Sequence, residues 1–378
     1  MKRILIYSTA YFPLVGGAEV AVKEITDRLP EYEFDLITAR IESHLPKQEK
    51  IGAVNVFRMG IGSARIDKIL LALFGGWYGA KLHAKKKYDL AWSIMASFGG
   101  FAAFSFSKKT GVPYLLTLQE GDSLDSIVEK VRWIRWRFAK IFSSAAGLQA
   151  ISHYLMQWGK KMGFHGRIAE VVPNGVDVGR FTQRFDEAVV SHMRQSFQFR
   201  DNAVVVVTAS RLVEKNGIEY VIRALALIPE KFCFVICGTG ALEESLKNLV
   251  SQLGLEKRVR FLGNISHEEL PRVLAASDIF IRPSLSEGLG NSFLEAMASG
   301  LPTIGTRVGG IPDFLREGET GFFCQPQDPQ SIASTLQKVD MISSEEKNKI
   351  FQQGIKQIVE TYNWDTIAKR MRKIFETI

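Results

Sequence analysis

Cysteine is scarce in this 378-residue chain. Cys233, Cys237 and Cys324 are too few and too oddly placed for a disulfide framework, and the first two share one apolar run, FCFVICG. A reducing cytoplasm is the compartment that follows. The six histidines are scattered, so no structural metal is expected. The eighteen uncharged residues from Leu90 to Ser107 are broken by four serines and by Gly99-Gly100, which predicts a strand, a loop and a buried helix in place of a membrane span. The N-terminus, MKRILIYSTAYFPLVGGAE, superficially matches a signal peptide. Its apolar run is short, however, and a Pro and Gly-Gly turn and then helical spacing follow, which predicts a β-loop-α unit. Repeats, low-complexity segments and RNP-like strand motifs are absent, and nucleic acid is not an expected partner.

Acidic residues are sparse in the first half. Residues 1–175 hold 24 Lys and Arg against 15 Asp and Glu, a net +9, whereas the rest hold 24 against 25, a net −1. Such a bias attracts polyanions, among them anionic membranes and phosphorylated lipids. In KVRWIRWRFAKIF, residues Ile127, Val131, Ile134, Phe138 and Ile141 have helical spacing and are expected to face a core. Lys130, Trp133, Arg137 and Lys140 fall on another stripe, with Trp136 beside it, as in a helix lying in a membrane interface. A solvated charged face is the alternative. A second candidate surface, Ile66 to Lys87, combines Leu70, Leu73, Phe74 and Trp77 with Lys81, Lys85, Lys86 and Lys87.

Short apolar runs alternate with helical patterns throughout. ILIYS, FDLIT, VNVFR, LAWSI, YLLTL, LQAIS and IAEVV come first, then AVVVVTAS, FCFVICG, VRFLG, DIFIR, PTIGT and GFFC. Strands apolar on both faces, separated by helices, predict an α/β fold with two Rossmann-like domains, 1–175 and 176–362, changing over near PNGVDVGRF. Two helices close the chain from Ser343, with Trp364 starting the second.

The densest chemistry lies in SLSEGLGNSFLEAMASG, Ser284 to Gly300. Glu287 and Glu295 flank a glycine turn, Gly288 and Gly290, that opens a helix at Asn291 and Ser292. Helix N-terminal N–H groups suit a diphosphate, and carboxylates suit vicinal hydroxyls of ribose or hexose. The same residues also fit a capping box, with Ser292 as cap and Glu295 reaching back. Arg211 and Lys215 follow the strand AVVVVTAS at the carboxyl edge where open α/β sheets bind ligands. Gly16 and Gly17 open the first helix, and Gly238 begins the loop after FCFVIC. Neither loop completes GxGxxG, which disfavours a nicotinamide or flavin enzyme.

The run PSLSEGLGNSFLEAMASGLPTIGT, Pro283 to Thr306, resembles the signature of retaining glycosyltransferase family 4, the glycosyl transferases group 1. The resemblance implies a GT-B fold, two Rossmann-like domains with parallel sheets facing across a cleft, the last helix (about 363–378) packing back on the N-terminal domain. It implies a hexosyl or N-acetylhexosaminyl group moved from a nucleoside diphosphate sugar, UDP being commonest, to a lipid-linked or other cell-envelope glycan. Glu287 would then hold the sugar and Glu295 the ribose. Gly288, Gly290, Asn291, Ser292, Gly238, Gly16 and Gly17 would line the donor, and Arg211 and Lys215 would neutralise its diphosphate. Two departures stand out: Asn216 separates Lys215 from Gly217, and Gln119, in VPYLLTLQEGD, replaces a sugar-contacting histidine. No DxD motif precedes a metal site, so metal-independent transfer without a cofactor is expected, in the cytoplasm at the inner membrane face. A sugar-nucleotide epimerase and a catalytically silent sugar-nucleotide-binding protein are the rival expectations.

Overall fold

A computed structural model describes residues 1–378. The chain divides into two compact units, Met1–Gly175 together with Trp364–Ile378, and Val176–Asn363.

In the first unit eight strands form one sheet: β1 (Lys2–Tyr7), β2 (Tyr32–Ala39), β3 (Gln48–Ile51), β4 (Val54–Met59), β5 (Leu90–Ile94), β6 (Tyr114–Leu118), β7 (Gly147–Ala150) and β8 (Ile168–Val171). Their order is β3-β4-β2-β1-β5-β6-β7-β8. The N-terminal run is therefore an interior strand, and Ile4 to Tyr7 are wholly buried. Leu90 to Ser107 supplies β5 and most of the Phe98–Thr110 helix, and no helix is long and apolar enough to cross a membrane. The seven expected strands run parallel. Only β3, sequence QEKI, was not foreseen; it pairs antiparallel with β4 at the sheet edge, where its charged side chains stay exposed or only partly buried.

The Trp364–Thr377 helix completes this unit's core. It buries Trp364, Ile367, Ala368, Met371, Ile374 and Phe375 among Ile4, Phe34 and Trp92. Phe375 meets Trp92 edge-on at 5.2 Å and Tyr32 at 5.8 Å. Each fully buried large apolar side chain contributes about 1.5–3 kcal/mol, so residues distant in sequence stabilise the first sheet substantially.

On the long helix Ala64–Lys86, Gly75, Gly76 and Gly79 take the inner face. A Cβ on Gly76 would lie 2.6 Å from Ser105 Cβ and 2.7 Å from Phe106 N on the Phe98–Thr110 helix. The helices approach closely through glycine, and the large apolar residues Ile66, Ile69, Leu73, Phe74 and Trp77 turn outward, each about half exposed or more.

Lys130 to Phe142 is not one continuous helix. Leu124–Lys130 is followed by a 3₁₀ turn, Arg132–Ile134, and then by the helix Arg135–Ser143. Three residues per turn shift the stripe. Phe138 and Ile141 are buried as expected, Ile127 and Val131 are only partly so, and Ile134 is 41% exposed, which corrects its placement in the core. Lys130, Trp133, Trp136, Arg137 and Lys140 are all exposed.

The second unit has a wholly parallel six-stranded sheet, β9 (Val204–Ala209), β10 (Phe232–Cys237), β11 (Val259–Gly263), β12 (Ile279–Ile281), β13 (Thr303–Gly305) and β14 (Phe322–Phe323), ordered β11-β10-β9-β12-β13-β14. Every residue of β10 is buried, as its continuous apolar sequence requires of a strand covered on both faces. The three cysteines are free and buried.

Candidate functional site

In the second unit the carboxyl ends of four neighbouring strands carry the chemistry. After β9 comes Ser210 to Asn216. Arg211 is exposed and Lys215 half-buried. Asn216, the departure noted in the sequence, is buried, and its side-chain amide donates to Arg211 O at 2.6 Å, so it fixes the curve of this loop. Leu285 N donates to Lys215 O at 2.7 Å, which ties the loop to the segment after β12. After β10, Gly238 has φ +136°, and a Cβ there would lie 1.9 Å from Ser210 O; only glycine permits this approach. Thr208 Oγ1 and Ser210 Oγ are buried at this edge without a hydrogen-bond partner.

β12 leads through Arg282 into the glycine turn. The Arg282 side chain is 7% exposed and the Glu287 side chain 14%, and the two form an ion pair. Arg282 also donates to Ser292 Oγ at 3.0 Å and Ser284 Oγ at 3.1 Å, and lies 4.5 Å from the centre of the Phe293 ring. A buried guanidinium needs such a set of acceptors, and they lock Glu287 in one place. Behind it, a Cβ on Gly309, which has φ +56°, would lie 1.8 Å from Glu287 O.

The helix Asn291–Ala298 has Gly290 as its N-cap, with φ +101°, and no side chain caps it. This geometry excludes the capping box. Ser292 sits inside the helix accepting from Arg282, and Glu295 pairs elsewhere: its Oε1 is 3.0 Å from His267 Nε2. His267 in turn lies 3.3 Å from Arg180 Nη1, and Phe181 packs edge-on against its ring. The hydrogen bond to Glu295 raises the His267 pKa above its ordinary value, against desolvation by burial.

The structure thus joins Lys215, Glu287, Gly288, Gly290, Asn291 and Ser292 through bonded loops, with Arg211 and Gly238 on the adjoining strand ends. Arg282, His267 and Arg180 escaped the sequence reading. A charge ending the apolar run DIFIR was a usable sign, since a buried arginine must be paired; nothing local marked His267 or Arg180.

Three candidates belong to the first unit. Gly16 caps the Gly17–Asp27 helix with an extended backbone, φ −139°, and neither it nor its neighbour is forced by a positive φ. Gln119, buried at the end of β6, accepts from Asn174 Nδ2 at 3.2 Å and so closes the loop there. Next to it Glu120 accepts from Ala96 N at 2.7 Å, while its Oε2 is buried without a partner. Burial pushes this carboxyl up to about 7.

Two parallel-sheet Rossmann-like units, the second with cations and carboxylates around an uncapped helix at its strand ends, define a protein of the GT-B type. The family profile Glycosyl transferases group 1 matches residues 190–358, and that of Glycosyltransferase Family 4 matches residues 15–180. The two profiles lie side by side along the chain, which belongs to glycosyltransferase family 4. It is 26% identical over 401 aligned positions, 99% of this chain and 96% of the other, to an Escherichia coli UDP-Gal:alpha-D-GlcNAc-diphosphoundecaprenol alpha-1,3-galactosyltransferase. It is 28% identical over 261 residues, 66% of this chain and 61% of the other, to a Mycobacterium tuberculosis GDP-mannose-dependent alpha-(1-6)-phosphatidylinositol monomannoside mannosyltransferase. The chain spans between 50% and 61% of the length of several curated relatives. The crystal structure of Anabaena HepE in complex with UDP and glucose superposes over 100% of both chains with a TM-score of 0.82 at 20% identity.

Proposed function

We propose that the protein transfers a hexosyl or N-acetylhexosaminyl group from a nucleoside diphosphate sugar, UDP-linked in the first instance, to a lipid-linked or other cell-envelope glycan, with retention of configuration and without a metal ion. The observation that carries this is the pair of carboxylates beside the uncapped helix: Glu287 held by Arg282, and Glu295 held by His267. The diphosphate rests at the helix N-terminus formed by Asn291 and Ser292. Glu295 takes the ribose hydroxyls and Glu287 the hexose hydroxyls. As the bond from the anomeric carbon to the phosphate oxygen breaks, Arg211 and Lys215 stabilise the departing charge. The acceptor oxygen bonds to the same face of that carbon and its proton passes to the leaving phosphate. Gly16, Gly17 and Gln119 are proposed separately, as ligand contacts of the first unit.

The activities of these two relatives support a nucleoside diphosphate sugar donor and a lipid-linked acceptor. A membrane-anchored acceptor fits the first unit's surface. The helices Ala64–Lys86, Phe98–Thr110 and Arg135–Ser143 contain a single acidic residue, Asp67, which is fully buried and accepts from the backbone N–H groups of Ile61, Gly62 and Ser63. Trp133 and Trp136 are 82% and 66% exposed among Lys130, Arg132, Arg135, Arg137 and Lys140. Anionic bilayers attract such a face electrostatically and accept its aromatic side chains. Peripheral attachment at the cytoplasmic leaflet is part of the proposal.

The deciding experiment is a thermal-shift screen of UDP-, GDP- and ADP-sugars, followed by transfer from the best donor to a polyprenyl diphosphate-linked saccharide with NMR assignment of the new anomeric configuration. No stabilisation by any sugar nucleotide, or an inverted product, overturns the proposal.

A further inference from the structure

The Glu295 side chain has one protein partner. His267 Nε2 lies 3.0 Å from its Oε1, and Oε2 receives no hydrogen bond from the protein. At the other side of the ring, Arg180 Nη1 is 3.3 Å from Nδ1. Arginine only donates, so Nδ1 accepts, and the ring's single proton is on Nε2, directed at the carboxylate. Asp177 lies 3.4 Å from Arg180 Nη2 and caps the Val178–Phe181 helix through Arg180 N. The charged groups facing His267 from the elements around it are Glu295, Arg180 and Asp177.

We infer that His267 is a positioning residue for nucleoside recognition: oriented by Arg180, it donates to Glu295 Oε1 and leaves Oε2 to accept from the vicinal hydroxyls of a ribose. This rests on the reading of Glu295 as the ribose contact. Protonation dismantles the arrangement. An imidazolium donates from both nitrogens, so Arg180 loses its acceptor and Glu295 becomes half of an ion pair, a weaker acceptor for hydroxyls. Glu295 draws the His267 pKa upward, which brings this change closer to neutral pH. Affinity for a ribonucleotide therefore falls as pH drops through the His267 titration, and a ligand lacking the 2′-hydroxyl loses less.

Two measurements test it. In the ligand-free protein, NMR titration of the His267 ring should give a lower midpoint in Glu295→Gln and a higher one in Arg180→Met than in wild type. Calorimetry with UDP and GDP, each beside its 2′-deoxy counterpart, should show a ribose preference at about pH 8 of roughly threefold to tenfold, the range of one net hydrogen bond, and less of it at about pH 5.5. His267→Gln keeps an N–H without titrating and should show the same preference at both pH values, whereas His267→Ala should lose it at both. An unmoved midpoint in Glu295→Gln, or pH dependence that survives in His267→Gln, overturns the role of His267 alone. A protein that binds neither diphosphate overturns the ribose reading and this role with it.

Discussion

Arg282, buried just past the end of a strand, and Glu287, partly buried where the glycine turn opens five residues later, form an ion pair. Breaking such a pair by removing one partner costs about 3–5 kcal/mol, because the remaining charge is left buried and unpaired. Glu287→Ala and Arg282→Ala should therefore lose stability on that scale in urea unfolding. Glu287→Gln keeps the shape and an acceptor for Arg282; it should fold, bind UDP as wild type does, and lose transfer by roughly a hundredfold. Wild-type transfer by Glu287→Gln would remove Glu287 from the sugar site.

Glu295→Ala should weaken UDP binding by roughly tenfold to a hundredfold, the range for hydrogen bonds to a charged group. Its melting temperature should change little, since Glu295 caps no helix and sits on a half-exposed histidine. Unchanged affinity in calorimetry would refute the ribose contact.

Arg211 and Lys215 are the cations proposed at the diphosphate. Replacing either with Ala should lower turnover by roughly a hundredfold, as when one transition-state donor is lost, with thermal stability nearly intact because Arg211 is exposed and Lys215 only partly buried. EDTA should leave the rate unchanged. A strict need for added magnesium or manganese would contradict the mechanism.

The first unit should sediment with vesicles containing anionic lipid. Changing Trp133, Arg137 and Lys140 to Ser should reduce pelleting and its salt sensitivity, each basic residue near the surface being worth about 1 kcal/mol. Changing Leu73, Phe74 and Trp77 to Ser should reduce the part that persists in high salt, since those side chains are apolar and exposed. Equal pelleting of all three proteins would assign these faces to something other than a bilayer.

Glu120 gives a pH signature. Its carboxyl, pushed up to about 7 by burial, binds a proton more tightly in the folded chain than in the unfolded one, where the value is about 4.3. Its stabilising contribution is complete below the unfolded value and is lost as pH rises through about 7. Glu120→Gln does not titrate, so its stability relative to wild type should rise by about 2 kcal/mol between about pH 5 and pH 8 in urea unfolding. A difference constant across that range would mean that Glu120 is ionised in the fold.

Periodicity and turn residues alone carried the α/β alternation, thirteen of the fourteen strands and the glycine turn with its two glutamates, because a parallel strand covered on both faces is continuously apolar and a turn favours glycine where φ is positive, as at Gly290. The strand Gln48–Ile51 was illegible for the same reason: its identity comes from backbone pairing at an edge, and its side chains record nothing of that. Local sequence also left Ser292 and Glu295 equally fit for a cap or a ligand site. Tertiary structure decided between them by bringing Arg282 to one and His267 to the other, across 10 and 28 residues. It likewise turned Ile134 outward through a 3₁₀ break, and set Trp364 to Phe375 into the first sheet's core. His267 and Glu295, like the last helix and the first sheet, meet only when the sheets are assembled, and no short window of sequence contains both.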